Sequence, residues 1–258
     1  MDIHKPKPWH GLREFLKEYL IIVIGVLTAL SAEAGVEWLH WRHLAAQHEQ
    51  DLRASAVQIV DLSVERLAQA PCARAELKRM AAALRASGDW KGANPGPDTP
   101  PGEYLLPALL TQGRPWPSAA WEAAVSDGAL VHLPRKQVAL YAFLFEVARD
   151  IQLPQEQEKR VRAQLTPLAI DQSLSAEQRA HYLAIVGDLD GLEATADAMA
   201  RSAIVQAGQK SIQPDPTDMK SRMAQLLQRM PQGCVREVDV DATQRTRSIQ
   251  YKSAAAGN

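Results

Sequence analysis

Residues 19–35, YLIIVIGVLTALSAEAG, form an apolar run that meets its first acid, Glu33, just before it ends. How this stretch is read decides the compartment and architecture of everything after it. The uncharged part, residues 20–32, spans about 20 Å as a helix. A bilayer hydrocarbon core is about 30 Å thick. Extension to Val36 takes in Glu33, and continuation to Trp41 adds Glu37 and His40. Tyr19 marks one edge, and Trp38 and Trp41 mark the other. Aromatic rings with polar edges favour headgroup level, so the segment reads as a span with an interfacial belt at each end. Glu33 and Glu37 lie one turn apart on one face, where the helix emerges into headgroups and a carboxylate can be hydrated or paired.

Two other readings compete with the span. A buried helix of a soluble protein fits poorly, because residues 20–30 hold only apolar side chains, one glycine and one threonine. A secretory signal peptide fits better: Lys5, Lys7, Arg13 and Lys17 precede the run, and Ala32-Glu33-Ala34 matches a loose A-x-A cleavage pattern. The leader would be unusually long, however, and its polar part carries Asp2, Glu14 and Glu18. A retained signal anchor is the expected form. Basic residues before the run outnumber those in the 37–53 flank, which places residues 1–18 in the cytoplasm and the bulk of the chain outside. In a Gram-negative cell the bulk would occupy the periplasm. Gly25 and Ala29, and Thr28 and Ala32, are spaced to let a second helix approach closely in lipid. Incidental composition is the competing explanation.

The 258 residues carry 29 basic and 30 acidic side chains, a formal net charge of -1. That balance removes the electrostatic reason to expect a nucleic-acid partner. Abundant alanine and leucine favour helix, and the expected fold is all-α. One membrane helix (19–38) continues into a long helix, followed by a bundle-like outer domain (39–235) and a polar tail (236–258). Residues 39–70 lack Pro and Gly, and a break is expected at Pro71. A second helix is expected over 72–87. Residues 88–117 are rich in Gly and Pro and read as an irregular loop.

Beyond the loop, Ser118 is a candidate N-cap of a short helix that stops at Gly128. The next helix should bury Val138, Tyr141, Leu144, Phe145 and Ala148. A new helix is expected after Pro154, interrupted at Pro167. Ser175 and Gln178 form a capping box opening the longest outer helix, and a shorter helix precedes Pro231.

Chemistry-bearing patterns are sparse. His40, His43 and His48 lack the ligands that would complete a metal site, and interfacial or surface roles are expected for them. His181 and Asp188 are not helical neighbours, and no nucleophile motif accompanies them. HExxH, GxSxG and phosphate-loop patterns are absent from the sequence, so no catalytic residue, cofactor or metal is assigned. Cys72 and Cys234 each follow close on a proline near an expected helix end. In an oxidising compartment they could pair across most of the outer domain; free buried thiols and redox chemistry are the alternatives.

The phrases LREFLKEYLIIVIGVLTALSAEAG and SAAWEAAVSDGALVHLPRKQVALYAFLFEV resemble those of a family of uncharacterised bacterial single-pass membrane proteins, a domain of unknown function. The resemblance spans residues 11–150. In it Trp121, Gly128, Leu130, Leu133 and Tyr141 match packing positions, while Glu33 to Trp41 replace that family's polar, Asn-rich membrane exit. It implies an inner-membrane location and a helical outer domain, and brings no catalytic residues. The leading functional expectation is a noncatalytic membrane-anchored scaffold or accessory subunit, with lipid and another membrane protein or a second copy as partners. An outer ligand sensor signalling through a partner is the second, and a cleaved-leader periplasmic hydrolase the third.

Overall fold

The computed structural model describes residues 11–92, 115–208, 212–229 and 235–243. The described residues are helical throughout apart from connections and one isolated antiparallel bridge, Trp90 to Gln172. Helix α1, Leu12–Arg85, has 74 residues and extends about 110 Å. Helices α2 (Ala119–Ser126), α3 (Arg135–Gln164), α4 (Ala176–Gly208) and α5 (Pro216–Arg229) gather around its second half. Gln137 meets Glu49 and Arg66 meets Glu158, so α3 runs parallel to α1. Arg179 reaches the carbonyls of Ala83 and Ala86 while Asp197 meets Arg66, so α4 runs antiparallel.

The expected break at Pro71 does not occur, and there is no separate second helix at 72–87: α1 passes through both. Proline removes one N–H and crowds the preceding turn. Here that turn is held from outside. The Arg236 N–H donates to the Ala68 carbonyl at 3.0 Å, and residues 61–69 are buried on every side of the helix. Pro154 likewise starts no new helix; it is a buried residue inside α3. The start of the polar tail is docked on the bundle. Val238 and Val240 pack on the core, and Asp239 caps a short helical turn by accepting the Ala242 N–H at 2.8 Å.

Other expectations match. The Ser175 hydroxyl accepts the Gln178 N–H and the Gln178 side chain accepts the Ser175 N–H, completing the capping box. Ser118 holds the N-cap position of α2 through its carbonyl, without a side-chain cap. Gly128 ends α2 with φ 69°, a left-handed conformation in which an L side chain is strained. Tyr141, Leu144, Phe145 and Ala148 are buried and Val138 packs against the core at its edge.

The apolar core falls into two parts. The lower one packs α1 from Ala45 to Leu67 against α2, α3 and the second half of α4. The upper one gathers Leu77, Met80, Leu84, Trp90, Leu165, Leu168 and Leu189. Of the 88–117 loop, residues 93–114 lie outside the described residues, and both described ends are tied down. The Trp90 indole donates to the Leu168 carbonyl at 2.8 Å, and that of Trp116 donates to Gln155 at 3.1 Å. A Cβ on Gly92 would stand 2.5 Å from the Ala169 carbonyl oxygen, so only glycine lets these two backbones meet.

Candidate functional site: an uncovered apolar helix below a buried charge layer

The most apolar stretch of α1 is wholly unburied. Leu20, Ile21, Ile24, Leu27 and Leu30 are each more than half exposed, on successive sides of the helix. A helix that is hydrophobic all round needs an apolar medium or partner on all sides. Within it the Thr28 hydroxyl donates to the Ile24 carbonyl at 2.8 Å, so this donor is satisfied within the helix. Gly25 faces open space, and a Cβ there meets nothing within 4 Å. It shares the face of Ala29, and Thr28 that of Ala32, one turn apart in each case. If these small residues seat a second helix, Gly25→Leu with Ala29→Leu should weaken self-association in bilayers about tenfold or more by energy transfer between labelled copies. Unchanged association would remove that role.

The distal edge of the stretch is ordered by its own polar groups. The Trp41 indole N–H donates to Glu37 at 3.4 Å, and the Arg42 guanidinium lies 5.1 Å above the Trp38 ring. At the proximal edge Tyr19 stacks on Phe15. Glu33 is exposed. Thus Tyr19, Glu33, Glu37, Trp38 and Trp41 bracket the apolar helix as two polar-aromatic rims.

Between the two apolar cores lies a layer of charge. Arg66 donates from Nη2 to Glu158 at 2.6 Å and from Nε to Asp197 at 2.9 Å. Arg74 donates to the other oxygen of Asp197 at 2.7 Å. Arg162, one turn after Glu158, donates to Glu193. Three arginines thus face three carboxylates, and the layer is neutral as a whole. Arg66, Glu158, Arg162, Glu193 and Asp197 are all buried. Burial pushes the Glu193 and Asp197 carboxyls up, against the pull of Arg162 on the first and Arg66 on the second. Burial opposes the charge of Arg66, but Glu158, Asp197 and Glu193 outweigh it and hold its pKa above the ordinary value. The layer joins α1, α3 and α4, and the cost of taking its charges out of water offsets much of their mutual attraction.

Asp61 is a separate buried carboxylate. It accepts the Asp215 N–H at 3.1 Å where the chain enters α5, and burial raises its pKa to about 6. A raised folded-state pKa means that the native state holds the proton more tightly than the unfolded one. The stabilising contribution is complete below about pH 4 and disappears as pH rises through 6. Asp61→Asn keeps an acceptor and removes this dependence. It should stabilise the bundle by about 1–2 kcal/mol at pH 7.5, after allowance for solvent screening, and little at pH 4. Thermal melts of both proteins at the two pH values measure this, and equal shifts at both would contradict it.

The histidines are placed differently from expectation in one case. His48 is buried and bonds Asp127 at 3.0 Å, fixing α2 to α1, whereas His43 is exposed. No cluster of three or more metal-ligating side chains occurs among the described residues. His181 and Asp188 are both exposed on α4. Cys72 is disulfide-bonded; Cys234 lies outside the described residues. The sequence reading missed the charge layer. Its trace was the pairs Glu158/Arg162 and Glu193/Asp197, each at i,i+4, with the second pair on a face otherwise made of Leu189, Ala196 and Ala200.

No family model, curated protein or solved structure matches this chain. The class it defines is therefore architectural: an all-α protein whose long, apolar N-terminal helix runs on as the axis of a helical bundle.

Proposed function

We propose that the protein is a membrane-anchored, noncatalytic scaffold or accessory subunit, with α1 crossing the bilayer over residues 19–38 and the bundle held on the far side. One observation carries this reading. The uncovered apolar stretch is continuous with the helix that the rest of the chain wraps. Lipid satisfies that stretch on every side, and the rigid continuation projects the bundle from the membrane. A retained anchor is also favoured by the helix itself. Residues 32–35, where a leader would be cut, lie inside an unbroken α1. The basic N-terminal flank supports a cytoplasmic N-terminus, and the resemblance noted above supports a bacterial inner membrane with a periplasmic bundle.

Alkaline extraction of membranes followed by intact-mass measurement tests the anchor. Full-length chain retained in the membrane pellet is the expected result. Release into the supernatant, or a mature N-terminus at Gly35, would overturn it. Purification in mild detergent tests the accessory role, with a stoichiometric membrane-protein companion or a second copy expected. Recovery of the chain alone with a bound small molecule would favour a ligand sensor instead.

A further inference from the structure

We infer that the foot of the bundle, formed by the turn Ala129–His132 and the first turn of α3, is a second membrane contact that rests on anionic lipid headgroups. This rests on the anchoring proposed above and extends it to a surface far away in sequence.

The geometry comes from α1. Helix α2 descends along it, with Asp127 bonded to His48 at 3.0 Å. The following 3-10 turn drops further, until His132 stacks on Trp41 with ring centroids 4.5 Å apart. Trp41 is one turn from Trp38, about 4.5 Å along the axis, and both belong to the distal rim of the apolar stretch. The turn therefore reaches headgroup level beside the span. Its neighbouring side chain, Val131, is 83% exposed, more than Ile21 or Val36 of the span itself at 69%. An apolar side chain so placed has the boundary of the bilayer as its nearest apolar medium.

The charged side chains that follow it next in sequence are basic. Arg135 and Lys136 are exposed in the first turn of α3, which contains no acid. Positive side chains there oppose the helix dipole, so helix stability does not account for them. Side chains in a helix lean toward its N-terminus, which for α3 is the foot. From α1, Arg42 adds a further cation at the level of the Trp38 ring. The nearby acids lie off the tip: Glu37 accepts from the Trp41 indole, Asp127 pairs with His48 and Glu49 accepts from Gln137, while Glu33 is about 12 Å down the axis from Trp41. Glu122 sits in the first turn of α2, the end away from the foot. Basic residues around an exposed apolar tip match an anionic lipid surface.

Spin labels on the full-length chain in vesicles test this. Cysteine is introduced singly as Val131→Cys, Ile170→Cys at the opposite end of the bundle, or Leu27→Cys in the span; the unsubstituted chain, treated alike, sets the background. Vesicles contain phosphatidylcholine alone or mixed with phosphatidylglycerol. At Val131, relaxation by oxygen should outweigh relaxation by an aqueous nickel chelate, more so with phosphatidylglycerol, and the Ile170 label should remain aqueous in both. With Arg135→Gln and Lys136→Gln the ratio of docked to undocked foot should fall about five-fold per charge removed. A Val131 label as aqueous as that at Ile170, or a depth unaffected by phosphatidylglycerol, overturns the inference while the Leu27 label stays in lipid. An aqueous Leu27 label overturns the anchoring itself.

Discussion

Arg66→Met is expected to destabilise the bundle by about 3–5 kcal/mol, because it strands Glu158 and Asp197 as buried carboxylates without their central partner. Arg74 still reaches Asp197, whereas the 2.6 Å bond to Glu158 has no replacement at that distance. Arg162 lies 3.9 Å from Glu158 and is already engaged with Glu193. Methionine roughly fills the volume but supplies no donor, so the loss is one of charge and hydrogen bonding. Replacing Arg66, Glu158 and Asp197 together by Met, Met and Leu should be less damaging than the single change. No carboxylate of the trio is then left to neutralise, and Arg74, which is partly exposed, can turn to water. Denaturant melts of the full chain in detergent, followed by helical circular dichroism, measure both. A triple variant weaker than Arg66→Met would show that the layer stabilises as well as aligns. The wild-type advantage should also survive added salt, since the Debye screening that weakens exposed pairs acts little on buried ones.

Removing the cystine at Cys72 is expected to cost about 2–4 kcal/mol, the usual range for a cross-link closing a long loop. Cys72 lies one turn beyond Ala68, whose carbonyl receives the Arg236 N–H. The chain immediately after Cys234 is therefore held beside this part of α1, which is the setting a Cys72–Cys234 pairing requires. Cys72→Ser and Cys234→Ser should then each lower stability by a similar amount, and the double substitution by no more than either alone. Peptide mapping without reductant should recover the two cysteines in one linked fragment. Additive losses, or two separate peptides, would exclude the pairing. A persistent cross-link would agree with a bundle outside the reducing cytoplasm.

Some of this was legible from residue types alone. The apolar run at 19–35 and its aromatic edges announce a long apolar helix with polar-aromatic rims. The capping box at Ser175 and the left-handed stop at Gly128 mark helix ends through contacts a few residues apart. Helical spacing located the buried face of α3 for the same reason: the 3.6-residue period is a local property. The charge layer was not read, because an arginine at 66 and an acid at 197 look like two surface residues until α1 and α4 lie side by side. His48 reads as a surface histidine until Asp127 arrives from α2.

By itself, then, the sequence determined the helical class, the apolar character of the N-terminal part of α1 and most of the helix ends, all set by local geometry and by the preference of side chains for water or oil. Tertiary structure alone decided that α1 continues past Pro71, that α3 continues past Pro154, and that the beginning of the tail is seated. A proline's penalty of about 3 kcal/mol is a local quantity. Burial around residues 61–69 and the hydrogen bond from Arg236 to Ala68 are contributed by segments distant in the chain. Their sum outweighs the penalty only once those segments have come together.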